Sequence, residues 1–239
     1  MASDGLGWPR MALDGLRLPP IVALCHEHVR SVPVLVICAS NEQLAAMHAA
    51  IREGGVIPPD EVQRLSQFDA RGASLRTEWQ TLIDDATKRL GSAEDNRCRV
   101  TVTDRFGGRG HDFQVVDKEA NANGGMLVIA TSIPDEREWI QWKGRTARQD
   151  RPGQFYVVLD QSAKPFAKNR ELLSRVKAAK HTSGELKGQP DHDARIEVLL
   201  DAADEGIGAK LKTYASEQAR GLESAWECLG VLGSAPDGS

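Results

Sequence analysis

The sequence predicts an α/β fold: a parallel sheet with helices on both faces, followed by a C-terminal helical extension. Short, β-branched apolar runs recur along the first part of the chain: PVLVIC (33–38), CRVTVT (98–103), MLVIAT (126–131) and QFYVVL (154–159). Segments with apolar residues at helical spacing lie between them, and strands that alternate with helices build parallel sheets. Beyond Asp160 the strand-like runs stop and only helical spacing continues.

Taken in order, residues 1–19 read as a flexible leader, dotted with Gly and Pro and without a sustained period. Ile21 to Arg30 reads as a helix with Ile21, Leu24 and His28 along one side. PVLVIC is a buried strand, since no charge interrupts it. Ser40 then stands as an N-cap with Gln43 at capping-box spacing, and Leu44, Met47 and Ile51 recur until Gly54–Gly55 ends the helix. Pro58 and Pro59 break the chain. Leu75, Trp79, Leu82, Ile83, Ala86 and Leu90 form a second amphipathic helix, closed by Gly91. CRVTVT runs straight into the Gly-rich stretch RFGGRGHDF. A polar loop, Val116 to Asn123, leads to MLVIAT; a helix spans Asp135 to Gln149; QFYVVL completes the sheet. Helices follow near 169–180, 193–204 and 207–229, with Leu211, Tyr214, Leu222, Trp226 and Leu229 along one side of the last. Thr182 to Asp193 reads as a linker. The expected organisation is a leader (1–19), the sheet-bearing domain (20–160), a helical extension (161–232) and a disordered tail (233–239).

The 239 residues suffice for one α/β domain plus an appendage. Lys and Arg total 30 against 34 Asp and Glu, a net charge of −4 that lacks the basic footprint of a duplex-binding module. Hydrophobic residues at 41% and charged ones at 27% fit a globular chain and not a disordered one. The longest apolar runs fall far short of the ~20 residues of a membrane helix, and no secretory pattern opens the sequence. A cytoplasmic protein, or one peripheral at a membrane, is expected. The cysteines Cys25, Cys38, Cys98 and Cys228 lack CxxC spacing and read as buried free thiols. Cys25, His26 and His28 are the one metal-like patch. They have no second half, so no metal site is assigned.

Two segments carry chemistry. In VTVTDRFGGRGHDF (100–113) a strand enters Gly107, Gly108, Arg109 and Gly110, whose open amides could face an anion. Asp112 follows at the carboxyl end of a strand, where open α/β sheets bind ligands. A tight strand exit with a surface Arg is the competing reading. In QWKGRTARQDRPGQFYVVL (141–159), Gln141, Gly144, Arg145, Arg148 and Gln149 follow the spacing Q-x-x-G-R-x-x-R-Q. On a helix, Gln141, Arg145 and Arg148 share one face. Two guanidiniums there suit an anion such as a triphosphate, whose oxygens match the guanidinium fork. A solvated basic helix end is the alternative. Trp139 and Trp142 beside this motif either mark a contact surface or pack on the sheet.

Together, in this order, the segments resemble the late motifs of the superfamily-2 helicase-like ATPases, and within them the SecA family of preprotein-translocase motors. GGRGHDF is similar to that family's A-G-R-G-T-D-I. GGMLVIAT (124–131) is similar to its G-G-L-x-V-I-G-T. The arginine segment is similar to its Q-x-R-G-R-A-G-R-Q-G-D-P-G. PVLVICAS (33–40) matches the segment that opens the second motor domain. The resemblance spans residues 20–160. It implies a RecA-like helicase C-terminal-type domain forming one wall of an ATP site. In that family's terms Asp112 would contact the nucleotide sugar. Arg145 and Arg148 would reach the γ-phosphate, with Arg148 as arginine finger. Gln141 would link the helix to the pocket, and Gly108, Arg109 and Gly110 would couple the pocket to the interface between motor domains. Ala147 stands where the family has Gly, Asp150 replaces another Gly, and His111 replaces a Thr.

No G-x-x-x-x-G-K-[ST] occurs in the sequence, nor a D-E-A-D-like run to hold magnesium. The family carries both on a first motor domain. The expectation is a second motor half that closes over ATP and Mg²⁺ held by that partner and couples hydrolysis to polypeptide movement, working at a membrane translocon. Alone it would be no ATPase. A nucleic-acid helicase C-terminal domain and a non-catalytic docking module are the alternatives.

Overall fold

The computed structural model describes residues 6–13, 18–55, 57–67, 78–90, 97–107, 112–145, 152–179, 181–182 and 192–233. In chain order these form β1 (Leu6–Leu13), α1 (Leu18–Val29), β2 (Val34–Ile37), α2 (Asn41–Glu53), a 3-10 turn (Pro59–Glu61), β3 (Val62–Leu65), α3 (Trp79–Ala86) and β4 (Val100–Thr103). Then come α4 (Lys118–Ala122), β5 (Met126–Ala130), α5 (Glu136–Lys143), β6 (Gly153–Leu159), α6 (Arg170–Ala178) and α7 (Ala194–Gly233). Two-residue strands at His181–Thr182 and His192–Asp193 pair antiparallel between α6 and α7.

The main sheet runs β1-β6-β5-β2-β4-β3, every neighbouring pair parallel. β2 is central, with Val34 opposite Val100 on one side and Leu127 on the other. Side chains alternate across a strand, so the apolar runs split between two cores. Leu35, Ile37, Met126, Val128, Phe155 and Val157 face one side, under α3, α5, α6 and the start of α7. Val34, Val36, Val100, Val102, Leu127 and Ile129 face the other, under α1 and α2. This is the RecA-like α/β arrangement, with a helical segment after the sheet. Ile196 and Leu199 of α7 share the first core with Trp139 and Trp142 of α5, so the helical extension begins as part of the domain's packing.

Local chemistry explains the elements. Ser40 accepts from the Gln43 N–H at 3.2 Å and the Gln43 Oε1 accepts from the Ala39 N–H at 2.7 Å, the reciprocal capping expected at α2. Thr131, at the end of β5, donates to the Ile37 carbonyl and to Gln43 Oε1, each at 3.0 Å, tying the α2 cap to two strand ends. β4 turns Thr101 and Thr103 into the first core. Their hydroxyls are satisfied from β3 and its strand end: Gln63 Nε2 donates to Thr101 Oγ1 (2.9 Å), and Thr103 Oγ1 donates to the Leu65 carbonyl (2.7 Å).

Four expectations are corrected. Within the supposed leader, Leu6–Leu13 pairs with β6 as an edge strand, and its register shifts between Gly7 and Arg10. A Pro inside the run hid it, yet an edge strand tolerates a missing N–H. β3, with the sequence VQRL, was not read as a strand because its polar residues break the apolar run. The helix expected over Asp135 to Gln149 ends at Lys143, capped by Gly144. The two helices expected over 193–204 and 207–229 are one, α7, in spite of Gly206 and Gly208. Of the leader expected over 1–19, residues 1–5 and 14–17 lie outside the described residues, as do 234–239 of the tail expected over 233–239 and Leu75 of the helix that forms as α3.

Gly125 sits at φ 72°, and a Cβ there would overlap the Pro152 carbonyl oxygen at the start of β6. Gly125→Ala should therefore cost at least about 2 kcal/mol in chemical denaturation, by backbone strain and overlap together. Burial also pushes the Cys25 and Cys38 thiols up to about 12 and the Cys98 thiol up to about 11. At pH 8 all three should resist a thiol reagent in the native protein and react once it is unfolded, measured by mass spectrometry of labelled peptides.

Candidate functional site

β4 leaves the sheet through a short turn. Asp104 Oδ1 accepts from the Phe106 N–H at 2.9 Å, and the Phe106 ring lies 4.5 Å from that of Trp79. Gly107 is buried, and a Cβ on it would fall inside the Thr103 side chain, which is itself bonded to Leu65. The first glycine of the motif is thus a packing requirement of the strand exit. Gly108, Arg109, Gly110 and His111 lie outside the described residues.

Asp112 is exposed and accepts from Gln114 Nε2 at 2.9 Å. It lines a groove of about 640 Å³ whose opposite wall is α3 and the residues just after it, with Gln80, Asp84 and Lys88. Phe113 and Val115 anchor this segment in the first core, which leaves Asp112 and Gln114 on the open side. The floor is an ion pair, Arg89 to Asp117 at 2.9 Å, with the Arg89 side chain only 12% exposed. Asp117 also caps α4, accepting from the Ala120 N–H. The Arg89 hydrogen bond, and then that N–H, hold the Asp117 carboxyl below the usual carboxylate range.

The second motif begins on α5. Asp135 caps this helix by accepting from the Glu138 N–H at 2.9 Å. Glu138 itself is 2% exposed and lies 3.6 Å from the Arg105 guanidinium in the turn after β4. This pair joins the Gly-rich segment to the helix that leads into the arginine motif. Trp139 and Trp142 are buried, and Trp139 meets Phe155 edge-on at 4.8 Å. They pack on the sheet, and the contact-surface reading of these two rings is withdrawn. Gln141 is half-buried on the last turn of α5. Arg145 follows the helix end, its N–H bonded to the Trp142 carbonyl at 3.0 Å, and is 7% exposed. Gln141 and Arg145 therefore do not sit on one continuous helix. Arg148 lies outside the described residues.

Arg105 and Glu138 were missed by sequence reasoning. Asp135 and Glu138 have capping-box spacing, which accounts for an acidic residue there without burying it. Only the tertiary fold brings Arg105 to it. Among the described residues, no three His, Cys, Asp or Glu side chains gather as a metal site, and no helix is long and apolar enough to cross a membrane.

No family model matches the chain. Protein translocase subunit SecA of Helicobacter pylori (strain J99) is 30% identical over 136 residues, covering 56% of this chain and 14% of the relative. SecA of Chlamydia muridarum is 34% identical over 101 residues, covering 41% of this chain and 10% of the relative. The chain thus matches 14% or less of the length of these relatives. Among solved structures, Cas3 of T. fusca with ADP superposes with a TM-score of 0.49 at 16% identity, covering 91% of this chain and 27% of that one. Dbp5 of S. cerevisiae, bound to RNA and ADP BeF3, gives 0.44 at 17% identity, covering 72% and 39%. Part of the chain is thus similar in sequence to SecA, on a RecA-like α/β fold.

Asp117→Asn keeps a capping side chain but removes the charge that faces Arg89, and should lower stability by about 1 kcal/mol at pH 7. A carboxyl held low in the folded state stabilises above its unfolded pKa of about 3.9 and loses that contribution as pH falls through the folded value. Urea denaturation across pH should show the gap between variant and parent constant at neutral pH and closing below about pH 4.

Proposed function

We propose that this chain acts as the second half of an ATP-driven motor that moves polypeptide, closing over a nucleotide held by a first motor domain. The observation that supports this reading best is the Arg105–Glu138 pair, which ties the two motif segments together within a SecA-like domain. Such a link lets a change at one segment pull on the other.

The side-chain chemistry fits a nucleotide: the exposed carboxylate of Asp112 can accept from sugar hydroxyls, and guanidiniums match phosphate oxygens. ATP with Mg²⁺, held by the partner, supplies the free energy and the transferable phosphoryl group. In this reading Arg148 is the arginine finger, set against the negative charge that develops in phosphoryl transfer. Arg145, 7% exposed just past the end of α5, stands with Arg148 on the γ-phosphate side in this reading. Gln141, on the last turn of α5, links the helix to the nucleotide pocket in this reading. In this reading Gly108, Arg109 and Gly110 couple the nucleotide pocket to the interface between motor domains. Closure on the nucleotide and reopening after hydrolysis then drive the polypeptide, at a translocon on the cytoplasmic membrane surface. A superfamily-2 helicase would use the same closure to move a nucleic-acid strand.

The test is to mix the chain with a separately expressed first motor domain that carries the phosphate-cradling loop and to follow phosphate release. Stimulation is expected, with a loss of at least about 10³-fold in Arg148→Ala. No stimulation and no nucleotide binding would leave a docking module. Salt-dependent affinity for single-stranded nucleic acid, with no response to unfolded polypeptide, would assign the helicase reading instead.

A further inference from the structure

α7 begins inside the domain and ends outside it. Ile196 and Leu199 are buried in the first core, and the Asp204 carboxylate still accepts from the Glu136 N–H at 3.4 Å. From Ala209 to Gly221 every residue is exposed. Of the large apolar side chains exposed among the described residues, Val116 and Ile140 lie on separate segments. Ile207, Leu211 and Tyr214 share one stripe of α7, four and three residues apart, with Leu211 63% and Tyr214 61% exposed. Single exposed apolar residues are ordinary; a stripe at alternating spacings of four and three is the seam of a coiled coil.

The opposite face of this stretch is satisfied within the helix itself. The Thr213 hydroxyl donates to the Ala209 carbonyl, the Ser216 hydroxyl to the Thr213 carbonyl and Arg220 Nε to the Ser216 carbonyl. Gly208, next to Ile207, has no reason inside the chain to lack a side chain. A Cβ there would meet nothing within 4 Å, and glycine in a helix interior is disfavoured against alanine.

We propose that α7 pairs antiparallel with α7 of a second copy of this chain, through a seam of Ile207, Leu211, Tyr214 and Gln218. Setting Leu211 opposite Tyr214 of the other copy fixes the register. The two-fold axis then passes between the levels of Lys212 and Thr213, and Ile207 falls opposite Gln218. In an antiparallel pair each flank of the seam meets its own counterpart. On one flank Lys210 meets Glu217 of the other copy, twice by symmetry. On the other flank Gly208 meets Ala215, also twice, so nothing larger than a methyl group holds the backbones apart there. A parallel pair would bring Lys210 to Ala215 and form no such charge pair. The pattern of charge and size therefore selects both the occupant and its direction. Asp204, Glu205, Lys210, Lys212, Glu217 and Arg220 balance in charge, which gives an anionic lipid surface no hold on this helix.

Sedimentation equilibrium of the full chain tests this without nucleotide or a partner domain. A monomer–dimer equilibrium is expected, with the dimer populated by about 100 µM. Leu211→Asp puts a charge into the seam and should weaken dimerisation at least about a hundredfold. Ile140→Asp, the same kind of change on α5, should leave it as it was. Lys210→Glu and Glu217→Lys each turn two attractions into two repulsions and should weaken it about tenfold. Mixed in equal amounts, these two variants should recover the parent affinity as a heterodimer, because both flanking pairs are again of opposite sign. All the substituted side chains are exposed, so the variants keep the fold. The proposal falls if the chain stays monomeric, if Ile140→Asp disperses the dimer as fully as Leu211→Asp, or if mixing the charge variants restores nothing. It also falls if the chain is monomeric alone and the stripe instead binds anionic vesicles or a separately expressed first motor domain. The pairing does not rest on the motor reading, which is measured by partner-stimulated hydrolysis and survives its failure.

Discussion

β2 has no polar face. Every side chain from Val34 to Ile37 is buried, and so is every side chain of β5 beside it. A strand of this kind is stable only between two apolar layers, and fully burying each such side chain contributes about 1.5–3 kcal/mol. The rest of the architecture answers that demand. α1 and α2 cover one side, and α3, α5, α6 and the start of α7 cover the other. Helices on both faces require crossovers between parallel strands, and crossovers deliver loops to the two ends of the sheet. The turn after β4 and the start of α5 meet through Arg105 and Glu138 because of that arrangement.

The sequence is most informative where one physical effect dominates. Continuous apolar runs identify β2 and β5, because nothing but double burial explains them. The Ser40 and Gln43 pair marks the start of α2, since capping is a local interaction between near neighbours. Legibility fails where a distant partner decides. β3 holds Gln63, a residue that weakens any strand reading until its amide is seen to satisfy the Thr101 hydroxyl and the Leu82 carbonyl. β1 carries a Pro that is acceptable only because the strand ends up at the sheet edge. α7 runs through two glycines that local propensity disfavours.

The same division applies to the candidate site. The two motif segments were visible as unusual residue types at defined spacing, but their roles were not separable by spacing alone. Gly107 turns out to satisfy a steric demand of Thr103. The tryptophans turn out to build the core that holds α5 in place. Arg145 leaves the helix before it can share a face with Gln141. Glu138, which looks like an ordinary first-turn acid, is the residue that connects one segment to the other. Its carboxylate is withdrawn from water, so the attraction to Arg105 is screened less than a surface pair would be.

The glycine pair ahead of β5 bears on how family likeness is weighed. One of its members is obligatory because two neighbouring chain segments run too close for any larger residue, a demand that arises where β5 and β6 enter the sheet, at the end away from the turn after β4. Natural selection on hydrolysis and natural selection on mere foldedness would preserve it alike. Agreement with the SecA-like pattern at this pair is therefore a statement about packing. A chain that kept this fold and none of the working groups would still carry it.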